Sequence, residues 1–227
     1  MIRFQNISKV YYPSGIIALE DINFEVKPKE FVSIVGRSGA GKTTLIRLLL
    51  AEEKPTKGRI FFEDQDVHKV KKSDLPCLRR KIGVVFQDYK LLPYKTAWEN
   101  IAYALETVGM EEEIIKRDVA QVLELVGLTN RAENYPSELS GGEKQRIAIA
   151  RALVHRPLAI IADEPTGNLD PYHSSDIMSL LLKINDLGTT VVLSTHDKEI
   201  INSLKRRVIT LEKGKIIRDE EEGRFII

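Results

Sequence analysis

The chain has 227 residues, 43% of them hydrophobic and 30% charged, a length that suits one compact domain or one core with a subordinate lobe. The composition is that of an ordinary folded globular protein. The formal net charge is +1, so no global field favours nucleic acid, and we expect no nucleic-acid partner.

The cysteine content and the apolar segments indicate where the protein acts. Cys77 is the only cysteine, so no internal disulfide can form, which fits a reducing compartment. The N-terminal residues carry no apolar signal segment, and the apolar runs are far shorter than the roughly 20 residues of a membrane-spanning helix. We therefore expect a cytoplasmic protein that reaches a membrane only through another protein.

The first segments of the chain are predicted to be β-strands. Residues 2–12 and 19–26 are separated by Pro13-Ser14-Gly15, a turn signal, and the second segment alternates apolar and polar residues as a half-buried antiparallel strand does. An apolar run at 31–35, a glycine-rich turn and a helix-forming segment at 42–50 follow. This order of strand, loop and helix predicts the start of a parallel α/β unit.

A helical block interrupts the α/β pattern after two further predicted strands at 59–62 and 82–86. Thr96 and Glu99 form a capping-box sequence, which predicts a helix to about residue 108. Two more helices are predicted, at 111–126 and from the Ser140 cap to about residue 153.

The α/β pattern resumes with predicted strands at 159–162 and 191–194, a helix that begins at Asp170-Pro171, and a closing hairpin around Lys213-Gly214. We therefore predict a single domain. Its β subdomain and α/β core are expected to comprise residues 1–88 and 155–227, and residues 89–154 are expected to form an inserted helical subdomain.

A phosphate-binding loop is predicted between the strand at 31–35 and the next helix. The sequence fits G-x-x-x-x-G-K-[ST], in which glycines let backbone N–H groups wrap round phosphates and the helix N-terminus adds positive potential. Lys42 is expected to reach the β- and γ-phosphates, and the Thr43 hydroxyl to ligate Mg²⁺. The expected nucleotide contacts are Gly36, Arg37, Ser38, Gly39, Ala40, Gly41, Lys42, Thr43 and Thr44.

Two carboxylates, Asp163 and Glu164, follow the apolar strand at 159–162. Ligands of a parallel sheet lie beyond the carboxyl ends of its strands, so this pair is expected beside the phosphate loop. Because adjacent residues of an extended segment point in opposite directions, we expect them to differ in function. Asp163 suits the magnesium shell through water, and Glu164 suits a general base that polarises the attacking water.

Two further polar residues follow strands at the same predicted edge. His196 comes after the strand at 191–194, where it could contact the γ-phosphate. Gln87 comes after the strand at 82–86, where it could reach the metal or the attacking water.

A second anion site is predicted at the start of the helix that follows Leu139. A serine hydroxyl and glycine N–H groups at a helix N-terminus favour a phosphate, and the residues concerned are Ser140, Gly141, Gly142 and Glu143. A monomeric phosphate-loop enzyme has no obvious need for two such sites on separate lobes.

Taken together, these motifs resemble the nucleotide-binding domain of ABC ATPases over essentially the whole chain. The resemblance implies a P-loop NTPase fold of the ABC type, with a RecA-like core, an N-terminal antiparallel β subdomain and an inserted α-helical subdomain. In that family the motifs are Walker A at 36–43, the Q-loop at Gln87, the signature at 139–143 and Walker B at 159–163, followed by catalytic Glu164, a D-loop at 167–170 and His196.

The resemblance also implies ligands and partners. Two subunits would pair head to tail on ATP binding, with Ser140 to Glu143 of one subunit on the γ-phosphate held by the other. Tyr11 would stack on adenine, although the adjacent Tyr12 could be confused with it. Lys42, Glu164 and His196 would be catalytic, Mg²⁺ would be held near Thr43, Gln87 and Asp163, and the Gln87 region would pass motion to an integral membrane partner.

The segment at 162–170 resembles a subfamily of ABC ATPases that serves cell division, lipoprotein release and macrolide export. The start of the chain and the stretches at 78–83 and 86–92, Asp88 above all, look most like the cell-division members. That resemblance implies a peripheral protein on the inner face of the plasma membrane. The alternative is the ATPase of a lipoprotein-releasing or macrolide/peptide-export transporter. Soluble ABC proteins of DNA repair or translation usually carry tandem domains, zinc modules or coiled coils, none of which this sequence shows.

Overall fold

The structure is a computed structural model that describes residues 1–224. Its elements are, in chain order, β1 (Ile2–Tyr11), β2 (Ile16–Val26), β3 (Phe31–Val35), α1 (Lys42–Leu49), β4 (Lys57–Phe62), β5 (Gln65–Asp66), α2 (Leu75–Arg80), β6 (Ile82–Phe86), α3 (Ala97–Glu106), α4 (Glu112–Leu125), α5 (Gly141–Leu153), β7 (Ala159–Asp163), α6 (Pro171–Asp186), β8 (Thr190–Thr195), α7 (Lys198–Leu204), β9 (Arg207–Glu212) and β10 (Lys215–Glu220). Short 3-10 turns lie between α4 and α5.

An antiparallel sheet is formed by the N-terminal strands in the order β2-β1-β4-β5. Its inner face packs against α1 and one face of the second sheet, because the buried apolar residues of β1 and β2 point that way. The rings of Phe4 and Phe24, paired across the strands, stack with their centroids 4.5 Å apart.

The second sheet has the order β10-β9-β3-β8-β7-β6 and is parallel except for the edge strand β10. Strands β3, β6, β7 and β8 end at one edge. There Val35 lies beside Thr195, and Asp163 is paired with Phe86 on one side and Ser194 on the other. The topology therefore brings the residues after these strands together, as in other open parallel sheets.

Helices α3, α4 and α5 lie in the chain between β6 and β7 and share a buried core with one face of the parallel sheet. The Thr96–Glu99 capping box predicted for α3 is present, with both reciprocal hydrogen bonds. Close packing joins α5 to the sheet, because a Cβ on Gly83 of β6 would lie 2.4 Å from the carbonyl oxygen of Ala152. Glycine is required there for the backbones to approach.

The predicted strands at 31–35 and 82–86 and the helices of the middle block are confirmed. Three short elements, β5, α2 and α7, were missed because their patterns are weak. In α2, for example, Leu78 is buried while its neighbours are exposed or half-buried. Strand β2 begins at Ile16 rather than at residue 19, since Ile16 and Ile17 extend the pairing with β1 although both are exposed.

Within residues 1–224, no helix is both long and apolar enough to cross a membrane.

Candidate nucleotide-binding site

A glycine-rich loop joins β3 to α1. Gly39 and Gly41 have φ angles of +79° and +108°, in the left-handed region that only glycine adopts easily. A Cβ on Gly36 would lie 2.4 Å from the carbonyl oxygen of Leu211 in β9, so this glycine is required for a close backbone approach. The loop shape therefore depends on glycine at the motif positions.

A cleft of about 400 Å³ opens beside this loop. It is lined by residues 16–18 and 38–44, Gln87, Glu164 and His196. A second cleft of about 460 Å³ lies on the far side of Glu164 and His196, between α6 and α7. The first cleft is the one suited to phosphates, because the glycine loop, Lys42 and the N-terminus of α1 line it.

Lys42 is 7% exposed, and its ammonium contacts the glycine loop and Glu164. The Nζ atom donates to the carbonyl oxygen of Gly36 at 2.7 Å and lies 3.3 Å from Oε1 of Glu164. A buried ammonium needs such partners, and here they hold it at the wall of the cleft, which Lys42 lines.

Glu164 links Lys42 to His196. Its Oε2 atom lies 2.9 Å from His196 Nδ1, and its side chain is 16% exposed. The expectation of an extended segment is wrong at this residue: β7 ends at Asp163, and Glu164 has a φ of +50°. The left-handed backbone sends the Glu164 carboxylate across to Lys42 and His196, while Asp163 faces α1.

Asp163 and Thr43 form the part of the site that suits a cation. Thr43 Oγ1 donates to Asp163 Oδ2 at 3.2 Å. The other carboxylate oxygen, Oδ1, is buried and makes no hydrogen bond of ordinary geometry within residues 1–224. Burial raises the pKa of Asp163, and the hydroxyl groups of Ser194 and Thr43 oppose this rise only in part. A carboxylate with an unsatisfied buried oxygen next to a hydroxyl fits Mg²⁺, which commonly takes few protein ligands and completes its shell with phosphates and water.

No cluster of three or more His, Cys, Asp or Glu side chains within residues 1–224 could hold a metal by itself.

Gln87 lines the cleft, and hydrogen bonds to the D-loop at 167–170 hold it in place. Its Nε2 atom donates to Oδ1 of Asn168 at 3.2 Å, and Asn168 Nδ2 donates back to the Gln87 carbonyl at 3.0 Å. A Cβ on Gly167 would lie 2.7 Å from Gln87 Nε2, so this glycine makes room for the amide.

Ser140 caps α5 in a second capping box. Its Oγ accepts from the N–H of Glu143 at 3.3 Å, and Glu143 Oε2 accepts from the Ser140 N–H at 2.8 Å. That backbone hydrogen bond lowers the pKa of Glu143, whose other oxygen accepts from Arg131 at 3.0 Å. The carboxylate thus faces its own cap, which leaves the N–H groups of Gly141 and Gly142 and the Ser140 hydroxyl proton for an anion.

These signature residues do not line the cleft of the glycine loop. The sequence also gave no sign that His173 would lie against them: a Cβ on Gly142 would be 2.7 Å from its ring, and its Nδ1 is hydrogen-bonded to Asp170. The contact joins α5 to the start of α6, which are distant in sequence.

Tyr11 and Tyr12 differ sharply in environment. The Tyr11 hydroxyl lies 3.4 Å from Oγ1 of Thr44, and the Lys9 ammonium lies 4.9 Å from its ring centroid. Tyr12 is 78% exposed. Tyr11 is paired across the strands with Ile16, and Ile16 lines the cleft. Tyr11 therefore lies at the margin of the cleft, where it is better placed than Tyr12 to stack on an adenine ring.

The sequence profile of the ABC transporter family matches residues 19–167, more than half of the chain. The chain therefore belongs to the ABC transporter family, and it is an ATP-binding ATPase cassette of that family. The predicted fold class is confirmed.

Among characterised relatives, the chain is similar to the cell division ATP-binding proteins FtsE of several bacteria. It is 51% identical to that of Bacillus subtilis over 225 residues, which cover 99% of this chain and 98% of the relative. It is 43% identical to that of Escherichia coli over 216 residues, which cover 95% and 97%.

Solved structures of cassettes have the same fold. A dimeric post-hydrolysis cassette bound to ADP and Pi matches with a TM-score of 0.88 and 37% identity, over 99% of this chain and 100% of that one. The cassette cbiO1 of Clostridium perfringens, part of the cbiONQ transporter complex, matches with a TM-score of 0.90 and 31% identity, over 97% and 88%.

Proposed function

We propose that the chain is the ATP-hydrolysing subunit of a membrane complex in bacterial cell division. It works as a homodimer on the inner face of the plasma membrane and acts through an integral partner of the FtsX type to regulate cell-wall hydrolases. The observation that carries the ATPase part is the linked set of Lys42, Glu164 and His196 beside the Thr43–Asp163 pair. Near full-length similarity to FtsE proteins supports the cell-division part.

Binding of ATP follows from the groups that line the cleft. The loop N–H groups and the start of α1 surround the phosphates, and Lys42 exchanges its contacts with the Gly36 carbonyl and Glu164 for the β- and γ-phosphates. Thr43 and Asp163 would hold Mg²⁺, with Gln87 as a further ligand. When bound, Mg²⁺ neutralises charge on the phosphates.

Hydrolysis requires a base for the attacking water, and Glu164 supplies it. The water oxygen forms a bond to the γ-phosphorus while the bond to the β–γ bridging oxygen breaks, which gives ADP and inorganic phosphate, and the water proton passes to Glu164. His196, hydrogen-bonded to Glu164, orients the carboxylate and lies where it can contact the γ-phosphate.

A second copy of the chain completes the site. The signature cradle at 140–142 has anion-binding groups, yet it does not line the cleft of its own chain. A head-to-tail dimer would bring this cradle onto the γ-phosphate held by the other copy. The similarity to dimeric cassettes supports this arrangement.

The contact with the membrane partner is proposed at the loop between Gln87 and α3. Asn100 is fully buried and fixes this loop, since its side chain bonds to both backbone groups of Leu92 and to the carbonyls of Lys95 and Thr96. Tyr94 is 92% exposed on this rigid loop. An exposed aromatic residue on a fixed loop suits a protein interface.

Copurification from detergent-solubilised membranes tests the partner. The chain should retain an FtsX-type protein, Tyr94→Ser should lose it, and Tyr135→Ser, which changes another exposed tyrosine before α5, should keep it. Retention of a lipoprotein-releasing or macrolide-export permease instead would contradict the cell-division role while leaving the ATPase assignment intact.

A further inference from the structure

Arg151, near the end of α5, binds the segment that follows Gln87. Its guanidinium donates to the carbonyl of Tyr89 at 2.9 Å and to that of Lys90 at 2.6 Å. Tyr89 and Lys90 have φ angles of +60° and +51°, a left-handed conformation that is unfavourable for residues other than glycine. Two such residues in succession need a tertiary contact to hold them, and Arg151 provides one.

The same segment contacts α5 at two more points. Fully buried Gln145 donates to the carbonyl of Phe86 at 3.4 Å. The Tyr89 hydroxyl lies 3.2 Å from the position of a Cβ on Gly141, the first residue of α5. Residues 86–90 are therefore attached to α5 from its N-terminus, where the signature cradle lies, almost to its C-terminus.

Gln87 within this segment also contacts the other side of the cleft. Its side chain and carbonyl bond to Asn168, which precedes α6. Those bonds measure 3.2 and 3.0 Å, whereas the shortest contacts of the segment with α5, at 2.6 and 2.9 Å, are the two donated by the charged Arg151 side chain to residues 89 and 90. Gln145 adds a longer bond of 3.4 Å to Phe86. Charge-assisted hydrogen bonds are the stronger kind. When the helical block moves relative to the sheet, the segment should therefore follow α5.

We propose that Arg151 is a positioning residue that makes Gln87 and the signature cradle of the same chain move as one body. This inference rests on the proposed function, in which Gln87 acts on the metal or the attacking water. Loss of the arginine would leave nucleotide binding at the glycine loop intact, but Gln87 would no longer take its catalytic position when the dimer closes.

The test compares the full-length chain with Arg151→Met and Arg151→Lys. For Arg151→Met, the Kd of fluorescent ADP should stay within about twofold while kcat falls about tenfold. Hydrogen exchange at amides 87–92 should become faster, and that at 36–44 should not change. Arg151→Lys should give intermediate values of kcat and of exchange at 87–92, because an ammonium lacks the planar fork that serves two carbonyls at once. If the methionine variant does not fold, the lysine variant still tests the proposal.

Arg146→Met is the matched control. Arg146 also lies on α5 and donates to a backbone carbonyl, that of Val126, at 3.0 Å, but within residues 1–224 it makes no hydrogen bond to the 86–90 segment. It should lose thermal stability and keep kcat. An unchanged kcat in both Arg151 variants, or an equal loss in Arg146→Met, would overturn the proposal. A wild-type chain without ATPase activity would instead contradict the proposed function.

Discussion

Glu164 stands between a buried ammonium and an imidazole, and this position defines its chemistry. Lys42 and His196 hold both carboxylate oxygens within hydrogen-bonding or ion-pair distance. The left-handed backbone at Glu164 costs free energy, and such strain is often found at functional positions. The direction of the Glu164 side chain is therefore set by the left-handed backbone that follows β7, and not by the strand itself.

Glu164→Gln should retain nucleotide binding and lose hydrolysis. The amide keeps the size and a contact to His196 but cannot accept the proton of the attacking water, so we expect a fall in kcat of about 100-fold or more. Phosphate release measures the rate. Glu63→Gln, at a surface ion pair with Lys81, is the matched control and should hydrolyse at the native rate. A native rate in Glu164→Gln would rule out Glu164 as the base.

Lys42→Ala should abolish measurable nucleotide binding, because it removes the buried cation that we propose for the β- and γ-phosphates. Fluorescent ATP titration measures the affinity. Lys81→Ala removes a cation from the surface and should bind ATP as the wild type does. If Lys42→Ala bound ATP with unchanged affinity, the prediction that the glycine loop and Lys42 bind the phosphates would be wrong.

Tyr11→Ala should weaken ATP binding roughly tenfold, since stacking on a base contributes about 1–3 kcal/mol. The neighbouring Tyr12, exposed to solvent, offers a matched control, and Tyr12→Ala should leave the affinity unchanged. The reverse outcome would assign adenine stacking to Tyr12. Titration with fluorescent ATP distinguishes the two.

Among the elements, α3 and the loop before it illustrate how one buried polar side chain fixes a surface. Four hydrogen bonds join Asn100 to residues 92, 95 and 96, so the loop is rigid although its outer residues are exposed. Buried amides are tolerated only when such partners are present.

Asn100→Ala should destabilise the chain by about 2–3 kcal/mol, because it leaves the Leu92 N–H and several carbonyls without their partner. Urea unfolding measures the free energy. Asn130→Ala, at an exposed position in the same helical block, should change it by less than about 0.5 kcal/mol. Equal effects from the two substitutions would show that the Asn100 bonds do not stabilise the loop.

At the scale of the whole molecule, the main feature is that the cradle at 140–142 and the cleft at 36–44 lie apart in one chain. A chain that needs both for one γ-phosphate must associate with a second copy. We therefore expect nucleotide binding to favour the dimer over the monomer.

Glu164→Gln should form a dimer in ATP, because ATP is bound but not consumed, and light scattering after size-exclusion chromatography measures its mass. Adding Ser140→Asp should keep it monomeric, because Ser140 is exposed and aspartate also caps a helix, but the added charge repels the phosphate. Adding Gln121→Asp, which puts the same charge on the exposed face of α4, should leave the dimer intact. A dimer in all three variants would argue against the cradle as its contact.

Much of the fold was predictable because its signals are local. The short apolar runs of β3 and β6, the Thr96–Glu99 cap and the spacing of the glycine loop are all encoded within a few residues. The short helices α2 and α7 were not predictable, since tertiary contacts stabilise them more than their own sequences do.

The sequence by itself determined which residues have the chemistry to bind and hydrolyse ATP, because residue type and spacing specify a phosphate loop and an acid-ended strand. Only the tertiary structure decided which of them meet. In the folded chain Glu164 points toward Lys42 and His196, and Tyr11 contacts Thr44 while Tyr12 is exposed. The fold also packs His173 against Gly142 and joins Arg151 to residues 89 and 90. These contacts span long stretches of chain and depend on packing geometry, which no local pattern records.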